Sequence, residues 1–255
     1  MASLTNKVAI VTGSSRGIGR AIAERFADED ASVVVNYNRS ADEARGVVVG
    51  IEAKGGKAAA IQADCSVVAD IRRLFRETIS KFGGVDIVVN NAGPNLANAF
   101  GSILLGPQTA VAELSEELFD YCMAGFARGP FFVMQEAARN IRDNGRIINI
   151  STAITSMLPP FTSVYAGAKA AMEAFSGVLA AELVSRGITV NVVSPGAVET
   201  KMLRSMPKEY QEILAQRTPL GVGQPRDIAG IVGYLARDDG RWITNEKIRC
   251  DGGIR

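Results

Sequence analysis

The chain has 255 residues, and 28 Lys and Arg against 27 Asp and Glu leave a formal charge of +1, so there is no basic field for nucleic acid or an anionic membrane surface. It contains no histidine, which excludes a Ser-His-Asp triad, a Cys-His pair, a His-held metal and a His general base. The three cysteines, Cys65, Cys122 and Cys250, match no CxxC spacing, and their odd number suits free thiols in a reducing, cytoplasmic compartment.

The first apolar run, Val8 to Val11, is far short of a signal-peptide core, and no stretch approaches the roughly 20 apolar residues of a membrane span. Short β-branched runs at 8–12, 32–36, 58–62, 86–90, 146–150, 189–193 and 247–250 predict strands. Several are continuously apolar, the pattern of strands buried on both faces. Between them, 18–29, 41–53, 67–82, 116–142, 164–185 and 226–236 predict helices. This alternation predicts an α/β fold: a parallel sheet with right-handed crossovers and helices on both faces. No linker-like stretch divides it, so residues 1–255 are expected to form one domain. The less regular stretches, 94–115 and 197–224, each follow a strand end, where open α/β sheets place ligands.

The first strand runs into Thr12-Gly13-Ser14-Ser15-Arg16-Gly17-Ile18-Gly19. A glycine cluster alone can be a flexible turn. Between a first strand and a first helix it reads as a cradle that lets backbone approach a pyrophosphate at a helix N-terminus. The second strand ends in Asn36-Tyr37-Asn38-Arg39-Ser40, with no carboxylate before Asp42. A site for NAD usually holds the ribose 2′-hydroxyl with an acid there. Without it, Arg16 and Arg39 are free to pair with a 2′-phosphate, so NADP(H) is the expected dinucleotide; the competing reading of Arg39 is a solvated loop charge. Further along, Tyr165 and Lys169 are four residues apart, on one face of an Ala-rich helix that should be buried. A neighbouring ammonium and an oxidised nicotinamide would favour the phenolate. Moving a tyrosine down by about 3 pKa units needs roughly 4 kcal/mol.

These pieces, with Asn90-Asn91-Ala92-Gly93, Tyr165-Ala166-Gly167-Ala168-Lys169, Asn191-Val192-Val193-Ser194-Pro195-Gly196 and Asp251-Gly252-Gly253, occur in order over nearly the whole chain. Their pattern resembles the short-chain dehydrogenase/reductase family, and its NADP-preferring ketoreductase members in particular. The resemblance implies a Rossmann-type, doubly wound seven-stranded sheet in the order 3-2-1-4-5-6-7. It implies cofactor contacts from Gly13, Ser15, Arg16, Gly17, Ile18 and Gly19, from Asn38, Arg39 and Ser40, and from Asp64 and Cys65. Further contacts would come from Asn91, Ala92 and Gly93, from Tyr165 and Lys169, and from Pro195, Gly196, Val198 and Thr200. Asp64 would hydrogen-bond the adenine, or else cap the helix before Val67. Tyr165 would exchange a proton with a carbonyl oxygen, and Lys169 would hold the nicotinamide ribose and tune Tyr165. The family's serine, 13 residues before the tyrosine, is Thr152 here; Ser151 would point the other way by strand alternation.

One position departs from the pattern. The family places an asparagine two residues before an Arg-Gly pair, where it holds a water linking the lysine to solvent. Arg128-Gly129 puts Phe126 there, and a phenyl ring cannot hold that water by hydrogen bonds. Three readings follow: ordinary NADPH-dependent carbonyl reduction; a non-redox or dual chemistry such as an isomerase, dehydratase or cyclase, with secondary metabolism as its setting; or a cofactor-binding protein with little catalysis. The substrate is expected to be a mostly apolar small-molecule ketone. It would be lined by Leu96, Phe100, Ile103, Leu104, Leu105, Met157, Leu158, Phe161, Met202 and Met206. No nucleic-acid, membrane or metal partner is expected. The resemblance implies a homo-oligomer, tetramer or dimer, paired through helices 116–142 and 164–185, with Ala168, Ala171 and Gly177 permitting close contact.

Overall fold

The first strand, β1 (Val8–Val11), buries all four side chains, because it has a strand on each side and helices on both faces. The structure, a computed structural model, describes residues 3–94 and 109–254. Strands β1, β2 (Ser32–Tyr37), β3 (Lys57–Gln62), β4 (Val85–Asn90), β5 (Ile141–Ile150), β6 (Thr189–Pro195) and β7 (Lys247–Cys250) form one seven-stranded sheet in the order 3-2-1-4-5-6-7. Every neighbouring pair is parallel. Alternate residues feed opposite cores. Ala9 and Val11 join Ile22, Phe26, Val33 and Val35 on one face. Ile10 joins Val34, Leu74, Phe75, Val88 and Met172 on the other.

Helices α1 (Gly17–Ala27), α2 (Ala41–Glu52) and α3 (Val68–Phe82) connect the first strands. In α3 the buried set is Ile71, Leu74, Phe75 and Thr78, the 3–4 spacing of a helix face. Gly83 then stops it in the left-handed conformation, φ 82°, and donates its N–H to Ile79 O at 2.8 Å.

The expected helix 116–142 is not continuous. It comprises Glu116–Met123, a widened π turn over Ala124–Arg128, and Gly129–Asn140. Pro130 has no N–H to give to Phe126 O, and the Gly129 N–H reaches back five residues to Ala124 O. The turn sets the direction of Phe126. β5 also starts five residues earlier than expected, at Ile141, and bulges before Arg146 around Asn144, whose φ is 62°. The stretch 197–224 holds two short helices, Lys201–Arg204 and Lys208–Gln216, rather than only irregular chain. Among the described residues no helix is long and apolar enough to cross a membrane.

Candidate functional site

The ends of β1, β4, β5 and β6 converge on one crevice. On its first wall, Thr12 Oγ1 accepts the N–H groups of Asn91 and Ala92, both at 2.9 Å. Asn91 Nδ2 donates back to Thr12 O at 2.9 Å and Gly13 O at 3.2 Å. The Gly13 N–H goes to Asn36 Oδ1 at 3.0 Å, and Gly13 and Gly17 have φ of 63° and 57°. A Cβ on Gly19 would lie 2.5 Å from Asn91 Nδ2 and 2.6 Å from Gly13 O. The loop is therefore closed against the fourth strand, and its glycines are needed for space as well as for conformation. Arg16 caps α1 without a side-chain hydrogen bond, and the first turn carries no acid. Its amides are open to an anion, so the residues present fit a pyrophosphate.

On the adenosine side, Arg16 Nη2 donates to Ser40 Oγ at 3.0 Å, while Asn38 and Arg39 are exposed. Arg16 and Ser40 are thus brought together at the end of β2, where the 2′-phosphate was expected. Asp64 is no helix cap. Its Oδ1 accepts the Ser66 N–H and hydroxyl, its Oδ2 accepts Asn38 Nδ2, and α3 is capped at Val67. Burial pushes its carboxyl up, but the hydrogen bonds from Ser66 and Asn38 and the charge of Arg39 prevail and hold it below the usual range. The Cys65 thiol turns inward to Asn36 Oδ1, and burial pushes it up to about 12, so only its backbone is left for a ligand.

On the opposite wall, helix Ser163–Leu183 carries Tyr165 and Lys169 on one face, and Thr152 follows β5. Lys169 Nζ is buried and donates to Ile150 O at 2.7 Å. Thr152 interacts with the phenol of Tyr165. Ser151 turns away and donates to Glu173, as strand alternation predicts. The expected downward shift of Tyr165 calls on the ammonium and an oxidised nicotinamide together; the protein's own groups shift it upward. Burial pushes the phenol up to about 12, with Thr152 opposing, and burial pushes Lys169 down to about 8, with Glu173 opposing. Desolvation outweighs the Thr152 hydrogen bond, so the phenol keeps its proton at neutral pH.

Phe126 fills the place of the missing asparagine. Its ring meets the Tyr165 ring edge-on, centroids 4.9 Å apart at 80°, and the centroid is 5.2 Å from Lys169 Nζ. The same ring presses on Gly93, where a Cβ would lie 2.7 Å from its Cε1. A buried ring so packed makes Phe126→Asn costly: the substitution should remove at least ~3 kcal/mol of stability. That would be read as a lower urea midpoint at unchanged slope. An unchanged midpoint would show that the ring contributes no packing.

Past β6, Gly196 leaves no room for a Cβ, which would lie 2.8 Å from Asp251 Cα. Thr200 caps Lys201–Arg204 and turns its methyl toward Gly17, across the crevice from the first loop. Val198 pairs with Gly223, which ties this loop down. Leu158 and Phe161 stand exposed at φ of 48° and 68°, a strained backbone for such side chains. Leu96, Phe100, Ile103, Leu104 and Leu105 lie outside the described residues. Sequence reasoning missed Thr12 and Asn36 as latches of the loop, and missed the cluster of Thr155, Glu173 and Lys247 below Lys169. The 169–173 spacing was a usable signal for Glu173; nothing local marks Lys247, which arrives from the far end of the chain.

A family model described as Enoyl-(Acyl carrier protein) reductase matches residues 13–255. The chain is 43% identical over 259 residues to an uncharacterized oxidoreductase of Methylorubrum extorquens, covering 100% of both. It is 38% identical to a tetrahydroxynaphthalene reductase of Pyricularia oryzae, covering 99% of this chain and 90% of the relative. It superposes with a TM-score of 0.89 on the crystal structure of an angucycline C-6 ketoreductase with bound NADP, at 39% identity, covering 99% of this chain and 96% of that one.

Proposed function

The chain belongs to the short-chain dehydrogenase/reductase family, and we propose that within it the protein is an NADPH-dependent reductase of polycyclic aromatic or similarly apolar ketones. One observation carries the reading. Tyr165 is a half-buried, protonated phenol beside Thr152 and Lys169, across a crevice from a glycine loop that leaves helix amides open.

Gly13, Ser15, Arg16, Gly17, Ile18 and Gly19 would hold the pyrophosphate, and Arg16, Asn38, Arg39 and Ser40 the 2′-phosphate. The backbone of Asp64 and Cys65 and the turn Asn91, Ala92 and Gly93 would flank the adenosine and ribose, and Pro195, Gly196, Val198 and Thr200 the nicotinamide. When bound, NADPH supplies the hydride. Thr152 orients the carbonyl oxygen, and Tyr165 Oη gives that oxygen its proton. Lys169, held at Ile150 O and by the Phe126 face, fixes a positive charge beside the phenol and stabilises the phenolate left behind. Phe126 removes no member of this set, which supports reduction over the non-redox and binding-only readings.

The polycyclic substrate class and a role in secondary metabolism are supported by the names of the naphthalene and angucycline relatives. A homo-oligomer is supported by exposed Phe119, Phe131 and Val178 on the helices at 116–140 and 163–183. Ala168 is not part of that face, since it lies in the chain's own core. The outward stripe is Gly167, Ala170, Ala174 and Val178.

The test is turnover. The protein should consume NADPH only in the presence of a polycyclic aromatic ketone, one NADPH per alcohol formed, with kcat/KM for NADH lower by at least ~10-fold. Equal use of NADH would refute the reading of Arg16 and Arg39. Ketone-dependent product formation without any change in the cofactor's redox state would refute reduction itself.

A further inference from the structure

Glu173 lies one helical turn beyond Lys169, and its side chain is 15% exposed. Its Oε1 accepts hydrogen bonds from Ser151 Oγ and, at 2.7 Å, from Thr155 Oγ1. Its Oε2 accepts from Lys247 Nζ at 2.8 Å, and Lys247 also donates to Thr155 Oγ1 at 2.7 Å. Three segments therefore clamp one carboxylate: the end of β5, the short helix Ile154–Met157, and β7. Ser151 stands between Ile150, whose carbonyl holds Lys169 Nζ, and Thr152. No role in the reaction accounts for this clamp.

Lys169 needs a counter-charge. Its ammonium is buried, and the two groups against it, a peptide carbonyl and a phenyl face, are both neutral. Among the described residues it forms no direct ion pair with a carboxylate, and burial works against its charge. Glu173 is the carboxylate whose field opposes that penalty. The other titratable groups of this pocket do not help: burial pushes Tyr165 and Cys122 up, so both stay neutral near pH 7. Lys247, on the solvent side of Glu173, acts in the opposite sense, because its ammonium competes for the same carboxylate.

We propose that Glu173 is a positioning residue, a clamped counter-charge that keeps the buried Lys169 protonated, and that Lys247 sets how much of its field Lys169 receives. The effect on turnover rests on Tyr165 and Lys169 being the proton-transfer pair; the charge on Lys169 can be measured without turnover.

The experiment is a pH titration of the Lys169 ¹³Cε resonance in resting, lysine-labelled protein, assigned by its loss in Lys169→Met. Glu173→Gln should lower the midpoint by about one pH unit, Glu173→Asp should keep it near wild type, and Lys247→Gln should raise it by a few tenths. A purely structural cluster would not move the two charge-removing variants in opposite directions. The proposal is overturned if the midpoint stays or rises in Glu173→Gln, or falls in Lys247→Gln. If Glu173→Gln does not fold, Lys247→Gln decides alone, a rise supporting and any other result overturning. The alkaline limb of kcat/KM is measured on the same proteins. A limb that follows the titration supports both readings. A titration that shifts while the limb stays fixed upholds the counter-charge and refutes Lys169 as part of the proton-transfer pair.

Discussion

Tyr165→Phe is expected to lower kcat for ketone reduction by about 10²–10⁴-fold while leaving NADPH affinity within about twofold. The substitution deletes one oxygen and keeps the ring that packs edge-on against Phe126, so the pocket wall survives. The loss is large because nothing nearby can replace the acid. The chain has no histidine. The Cys122 thiol is pushed up to about 11 by burial, and Lys169 is tied to Ile150 O. The residual rate would be the hydride step with water as a poor proton source.

The pH profile of the wild-type enzyme follows from the same two groups. Tyr165, pushed up to about 12, keeps its proton throughout the working range, so it sets no limb there. Lys169, pushed down to about 8, is an ammonium below that pH and loses its charge as pH rises through it. The kcat/KM of the free enzyme should therefore fall on the alkaline side near pH 8. Tyr165→Phe retaining more than about a tenth of wild-type kcat would remove the tyrosine from the mechanism.

The sheet was legible because parallel strands buried on both faces read as apolar runs, as β1 does throughout and β2 does over Val33, Val34 and Val35. That Tyr165 and Lys169 share one helix face was legible from their spacing, whereas Thr152 was reached through the family resemblance. Three things were not legible. The π turn at Ala124–Arg128 depends on a donor that Pro130 lacks, so it breaks a stretch that reads as continuous helix. The pKa of Tyr165 depends on how deeply the fold buries it, which spacing does not reveal. The clamp on Glu173 joins residues up to 92 positions apart, as between Lys247 and Thr155, and each member taken alone is an ordinary surface type. Phe126 shows both sides of the problem. The sequence marks it as a departure, but only the geometry shows that its ring faces Lys169 and that Gly93 is what admits it.

Gly19→Ala should weaken NADPH binding by at least ~100-fold, about 2.7 kcal/mol. Gly19 is not at positive φ, so the cost is one of space rather than of backbone conformation. The added methyl would lie 2.6 Å from Gly13 O and 2.9 Å from Ser14 Cα, both backbone atoms of the loop itself, and 2.5 Å from Asn91 Nδ2. Asn91 cannot swing aside freely, because its amide is the latch that donates to Thr12 O and Gly13 O. Relief must come from moving the loop away from α1, which pulls its amides off the pyrophosphate position. Gly50→Ala is the control. That glycine lies in α2 with nothing within 4 Å of a built Cβ, so alanine there should leave binding unchanged and raise stability by about 0.5–1 kcal/mol. Calorimetric titration with NADPH on both variants separates a local loss of the cradle from a global loss of fold. Wild-type affinity in Gly19→Ala would mean that the loop can yield without releasing the phosphate, and that the amides of α1 are not what hold it.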